Sequence, residues 1–117
     1  MTQLETLQKL ISDFSEERDW TQFHNLKDLT IGLSTESNEL LQLFRFKTNE
    51  ECDAYYKAQP LKVQEELSDV FYYLLRIADL YHIDLEEALK KKMIQNEAKY
   101  PIDKVKGKNL KYNEYDK

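Results

Sequence analysis

Two stretches of this chain repeat apolar residues at helical spacing and set carboxylates into the repeat. In "KDLTIGLSTESNELLQLF", at about 100° per residue, Leu29, Leu33, Leu40 and Leu43 share one stripe, with Glu36 in its middle and Glu39 at its edge. In "LKVQEELSDVFYYLLRI", Val63, Leu67, Val70, Leu74 and Ile77 form the stripe; Glu66 borders it, and Asp69 and Tyr73 lie just beyond. Each acidic pair has i, i+3 spacing, so both carboxyl groups of a pair point the same way from a helix. With only two Gly and two Pro in 117 residues, the chain favours long helices over many turns, and the expected class is all-α.

Four helices follow from the pattern. The first opens at Thr2, with Glu5 completing a capping box, carries Leu4, Leu7, Ile11 and Phe14, and fades near Arg18. An aromatic connector, "DWTQFHNLKD", leads to the second helix, from about Leu26 to Phe46, in which Gly32 is either a point of close helix packing or simply a tolerated helix glycine. The segment "KTNEECDAYYKAQ" is expected to hold at most a short helical turn. Pro60 suits the first position of the third helix, which ends near His82. Asp84 and Glu87 form a second capping box, opening a fourth helix through about Lys99. The expected fold is a four-helix bundle, with one domain over residues 1–101 and a mixed-charge, extended tail over residues 102–117.

Charge and cysteine content narrow the function classes. A net charge of −5 argues against a general nucleic-acid binder, which needs a basic face. The lone Cys52 excludes an internal disulfide and a four-cysteine zinc site, and suits a reducing compartment. The start of the chain has no apolar run of signal-peptide length, and no stretch is long and apolar enough to span a membrane. The expectation is a cytoplasmic protein with neither nucleic-acid nor membrane partner.

A carboxylate facing a core is costly unless a positive charge compensates it. No basic residue or histidine lies within either pair, so a divalent cation is the simplest compensation. Side by side in a bundle, the two acidic helices would bring Glu36, Glu39, Glu66 and Asp69 to one place. An all-oxygen set selects a hard cation, Mg²⁺, Mn²⁺ or Ca²⁺; a di-iron site would need Glu-x-x-His on two helices, and Asp79 with His82 is the nearest approach. Mg²⁺ usually binds through a few carboxylates plus substrate phosphates, so metal-assisted phosphoryl chemistry is the natural reading.

The ordered segments "ERDWTQFHNLKDL", "ESNELLQLFRFK", "EELSDVFYYLL" and "KKMIQNEAKYP" resemble the successive motifs of the MazG-like all-α nucleoside triphosphate pyrophosphohydrolases, in their dCTP pyrophosphatase branch. The resemblance runs from about Arg18 to Pro101. It implies a four-helix fold assembled as a homodimer or homotetramer. The implied activity is Mg²⁺-dependent hydrolysis of a nucleoside triphosphate, dCTP or a modified pyrimidine nucleotide, to monophosphate and pyrophosphate. By motif, Glu36, Glu39, Glu66 and Asp69 would ligate the metal, and Glu39 would also orient or deprotonate the attacking water. His24, Phe46 and Tyr73 would line the nucleoside pocket; Lys92, Asn96 and Tyr100 would reach the triphosphate or sugar. The chain departs from that pattern at Phe46, where Trp is usual, at Leu26 and Asp28, where Pro and Asn are usual, and at Asn38, where Gly is common. None of these is one of the four carboxylates.

Two rivals stand beside this reading. One keeps the metal site and changes the substrate to dUTP or a phosphoribosyl nucleotide. The other is a non-catalytic helical module whose acidic stripe pairs with a basic partner helix. Lys27, Arg76 and Lys91 are further candidate cations near a triphosphate, behind Lys92.

Overall fold

The computed structural model describes residues 1–114, all of them in helices, turns and connectors, with no strand among the described residues. Six helices follow in chain order: α1 Gln3–Glu17, α2 Leu26–Gln42, α3 Asn49–Ala58, α4 Pro60–Leu80, α5 Leu85–Lys99 and α6 Ile102–Val105. They fall into two compact units, Met1–His82 and the residues from Ile83 onward. No helix among the described residues is long and apolar enough to cross a membrane.

In the first unit the helix boundaries follow local chemistry. Thr2 and Glu5 exchange two bonds of 3.1 Å, each side chain accepting from the other's backbone N–H, and this box starts α1. The same helix ends in a Schellman turn: Asp19 takes a positive φ of 56°, its N–H donates to Glu16, and the Trp20 N–H donates to Ser15. The residues after it form a 3₁₀ turn over Thr21–Phe23. Asn25 then caps α2 by accepting from the Asp28 N–H at 2.9 Å.

Helix α4 is the rod against which α2, α1 and α3 pack. It begins at Pro60, as the missing N–H of proline allows. The buried apolar side chains are Leu29 of α2 and Val63, Leu75 and Ala78 of α4, and Ser15 of α1 is buried as well. The Ser15 hydroxyl is satisfied by the Ile11 carbonyl at 3.0 Å and the Tyr72 hydroxyl at 3.4 Å.

Several expectations are corrected here. The segment after Lys47 is a full ten-residue helix, α3, because Thr48 and Glu51 form a reciprocal capping box and acidic residues fill the first turn. Helix α2 stops at Gln42; residues 43–46 tighten into turns with bonds such as Phe44 N–H to the Leu41 carbonyl. The apolar stripe of α4 is split. Leu67 and Leu74 stand 51% and 40% exposed, on one face with Phe71, while Arg76 is fully buried.

The second unit holds α5, α6 and a 3₁₀ turn over Tyr112–Glu114, so the region after Pro101 is helical in part rather than extended throughout. Asp84 accepts from the Glu87 N–H at 3.0 Å, but Glu87 turns to Lys91 at 3.6 Å, leaving half of the expected box. Lys90 pairs in the same i, i+4 manner with Glu86 at 2.9 Å.

Candidate metal centre

The facing sides of α2 and α4 bring together three of the four carboxylates of the acidic pairs. Glu36, Glu39 and Glu66 each place a carboxylate oxygen within 4.8 Å of the other two. Asp69 lies one turn beyond Glu66, exposed, outside this triplet, yet its charge acts on Glu36. Glu66 is 7% exposed and Glu36 half-buried; one oxygen of each, Oε2, is buried without a hydrogen-bond partner among the described residues. An orphaned carboxylate oxygen calls for a cation or a proton.

The electrostatics record that demand. Burial, then the close approach of the Glu39 carboxyl, then the charges of Glu39, Asp69 and Glu66 raise the Glu36 pKa to about 7. Asp69 is raised by burial and by Glu66 and Glu39. Lys62, one turn before Glu66, supplies partial relief through a 3.2 Å ion pair with Glu66 Oε1. One ammonium at the rim does not balance three converging carboxylates, so the donor set fits a hard divalent cation.

Tyr73 fills the seam between α2 and α4 beside the carboxylates. Its ring packs edge-on against Tyr72, with centroids 5.1 Å apart, and lies against Gly32 of α2, where no Cβ intervenes. Burial and the negative charge of Glu36 raise the Tyr73 pKa, so its hydroxyl keeps its proton and can donate. Glu36 faces Glu66, Gly32 faces Tyr73, and His24, just before α2, meets Arg76. Descending numbers on one side thus meet ascending numbers on the other: α2 and α4 run antiparallel, and along their seam the order is the carboxylates, then Tyr73, then His24.

Other candidates are placed as follows. His24 is half-buried, its Nδ1 accepting from Arg76 Nε at 2.9 Å. Phe46 is 88% exposed beyond the end of α2, with the Arg45 guanidinium 4.8 Å from its ring centroid. Lys92 and Asn96 lie on α5, and Tyr100 caps it, in the second unit.

Two charged residues carry more than the sequence reading gave them. Arg76, taken there as a secondary cation for a triphosphate, is instead buried and fully used within the protein. Lys62 was passed over, although its i, i+4 spacing to Glu66 was the available signal.

A family model described as the MazG-like family matches residues 31–115. The chain is 39% identical to dCTP pyrophosphatase 1 of Rattus norvegicus over 111 residues, covering 93% of this chain and 65% of that protein. It is 37% identical to dCTP pyrophosphatase 1 of Homo sapiens over 113 residues, or 95% of this chain and 66% of that one. The chain thus spans just under two thirds of the length of these relatives. A crystal structure of a pyrophosphatase from Archaeoglobus fulgidus superposes with a TM-score of 0.82 at 34% identity, covering 86% of this chain and 94% of that one.

Proposed function

The chain belongs to the MazG-like family, and we propose that it is a Mg²⁺-dependent pyrophosphohydrolase that converts a nucleoside triphosphate to monophosphate and pyrophosphate. The substrate class is dCTP or a modified pyrimidine nucleotide, in keeping with the dCTP pyrophosphatase 1 relatives. The observation that carries the reading is the convergence of Glu36, Glu39 and Glu66 with two orphaned buried oxygens.

Glu36 and Glu66 would hold the ion by their unsatisfied oxygens, with Glu39 and Asp69 completing the donor set. The chemistry such an ion supplies when bound is polarisation of the phosphoryl oxygens and neutralisation of the departing pyrophosphate. Glu39, the exposed member of the triplet, is open to solvent and is the base that orients the attacking water and takes its proton. The water oxygen forms a bond to the α-phosphorus. The bond from that phosphorus to its bridging oxygen breaks, and its electron pair leaves with pyrophosphate. Tyr73 and His24 are proposed to line the nucleoside pocket by motif, and Phe46 offers an exposed ring for the base; Phe46 and His24 stand at opposite ends of α2, about 25 Å apart by helix rise, so this chain alone does not bring those two together. Lys92, Asn96 and Tyr100 remain proposed contacts to the triphosphate or sugar on motif resemblance alone.

The reading includes a cytoplasmic all-α protein that assembles as a homodimer or homotetramer. Leu67, Phe71 and Leu74, 51%, 42% and 40% exposed at i, i+4 and i+7 on α4, support a second copy covering that face. A pyrophosphate-release assay over the common and modified nucleotides, with Mg²⁺, tests the activity. Release from dCTP or its modified analogues is expected. Release only from dUTP or a phosphoribosyl nucleotide would move the substrate class, and none from any nucleotide would leave the interaction module standing.

A further inference from the structure

Arg76 is 1% exposed, yet each of its guanidinium nitrogens donates to a different acceptor. Nε donates to His24 Nδ1 at 2.9 Å, Nη1 to Asp79 Oδ2 at 3.1 Å, and Nη2 to Thr21 Oγ1 at 3.1 Å. A guanidinium accepts nothing and does not deprotonate. His24 Nδ1 must therefore be the acceptor and carry no proton, which leaves the single proton of the neutral imidazole on Nε2.

We propose that Arg76 is a positioning residue for nucleotide recognition: by occupying His24 Nδ1 it holds the ring as the Nε2-protonated form and offers the nucleotide one fixed donor. The inference rests on the reading that His24 lines the nucleoside pocket. It goes further in assigning the direction of the hydrogen bond and the residue that sets it.

Three observations support the assignment. Burial first, and then the Arg76 charge, lower the His24 pKa, which keeps the ring neutral near pH 7. Protonation would set a second N–H against Arg76 Nε and a second cation beside a buried one, whose carboxylate partner is Asp79. The clamp also reaches across chain segments: Thr21 and His24 sit in the connector ahead of α2, Arg76 on α4. That fixes the ring ahead of α2, on the same α2–α4 seam as the carboxylates and beyond Tyr73. A donor locked there selects a neutral oxygen acceptor on base or sugar and disfavours an amino group in the same place.

The test uses the whole protein labelled with ¹⁵N-histidine, which gives signals from only two residues, His24 and His82. Long-range ¹H–¹⁵N correlation at pH 7 should show His24 as the Nε2–H tautomer, and dCMP with Mg²⁺ should move its Nε2 resonance. Arg76→Lys, whose three donors sit on one nitrogen and cannot reproduce the guanidinium's reach to three separate acceptors, should mix the tautomers. It should also raise KM for dCTP about 3- to 10-fold, the worth of one neutral hydrogen bond, with kcat little changed. An Nδ1–H or doubly protonated His24 in the wild type overturns the proposal, and a dCMP-dependent shift would then leave the pocket reading intact. The expected tautomer, unmoved by dCMP in protein that releases pyrophosphate, overturns it through its premise by taking His24 out of the pocket. An unchanged KM in a folded Arg76→Lys variant also overturns it. If that variant does not fold, the wild-type spectra decide.

Discussion

Gly32 on α2 and the ring of Tyr73 on α4 share one notch: a Cβ at position 32 would stand 2.6 Å from Tyr73 Cζ and 2.9 Å from Cδ1. By helix propensity alone, alanine at an interior helix position gains up to about 1 kcal/mol over glycine. Overpacking against an aromatic ring costs typically about 1–3 kcal/mol. Gly32→Ala is therefore expected to destabilise the wild type and to stabilise a Tyr73→Leu background. Urea denaturation of the four proteins in that cycle measures the coupling. A stabilising Gly32→Ala in the wild type would mean that the notch is not filled by the ring.

The carboxylate cluster makes stability depend on pH in a direction set by Glu36. Its pKa of about 7 when folded lies above the ordinary 4.5, so the folded state holds the proton more tightly. That contribution is complete below about pH 4.5 and is lost as pH rises towards 7. Metal competes for the same oxygens, so the Tm gain from Mn²⁺ should grow over the same interval. Thermal melts with chelator and with Mn²⁺ between acid and neutral pH test this. A metal-induced gain independent of pH would remove Glu36 from the donor set.

Phe46 is so exposed that its removal should leave stability within about 0.5 kcal/mol. Stacking of a base on an aromatic ring is worth on the order of 1–3 kcal/mol. Phe46→Ala should therefore raise KM at least about fivefold with kcat nearly kept, as expected for uniform binding. Steady-state kinetics on dCTP read the split, and an unchanged KM would take Phe46 out of the pocket.

Thr48 governs whether residues 49–58 are helix at all. Its hydroxyl accepts from the Glu51 N–H at 3.1 Å while the Glu51 carboxylate accepts from the Thr48 N–H at 3.0 Å. Thr48→Ala should cost about 1 kcal/mol, seen as a lower urea midpoint with an unchanged m-value. No loss would show that α3 is held by its packing on α4 alone.

What the sequence made legible was set by chemistry within a turn or two of each residue. Thr2 and Pro60 mark helix starts because such residues act on their own first turn. The acidic pairs were readable because i, i+3 spacing fixes a shared face before any packing is known. The Thr48 and Glu51 box carried the same kind of signal, but the mixed polarity of "NEECDAYYKA" masked the helix behind it. Tertiary contacts were the part that periodicity could not supply. Leu67 and Leu74 share a period with Val63 and Val70, yet α2, α1 and α3 cover only part of α4. Arg76 looks like a surface cation among apolar neighbours until Thr21 and His24, more than 50 residues earlier, prove to be its partners.

The convergence of acidic oxygens between α2 and α4 is the claim on which the rest depends, and calorimetric titration of Mn²⁺ tests it most directly. The variant to compare is the double substitution Glu36→Gln and Glu66→Gln, which keeps side-chain volume and removes the carboxylates whose Oε2 atoms are buried without a partner, so the fold should survive. The wild type is predicted to bind Mn²⁺ saturably and the folded variant to lose that binding. Equal affinity in the two proteins would contradict the account.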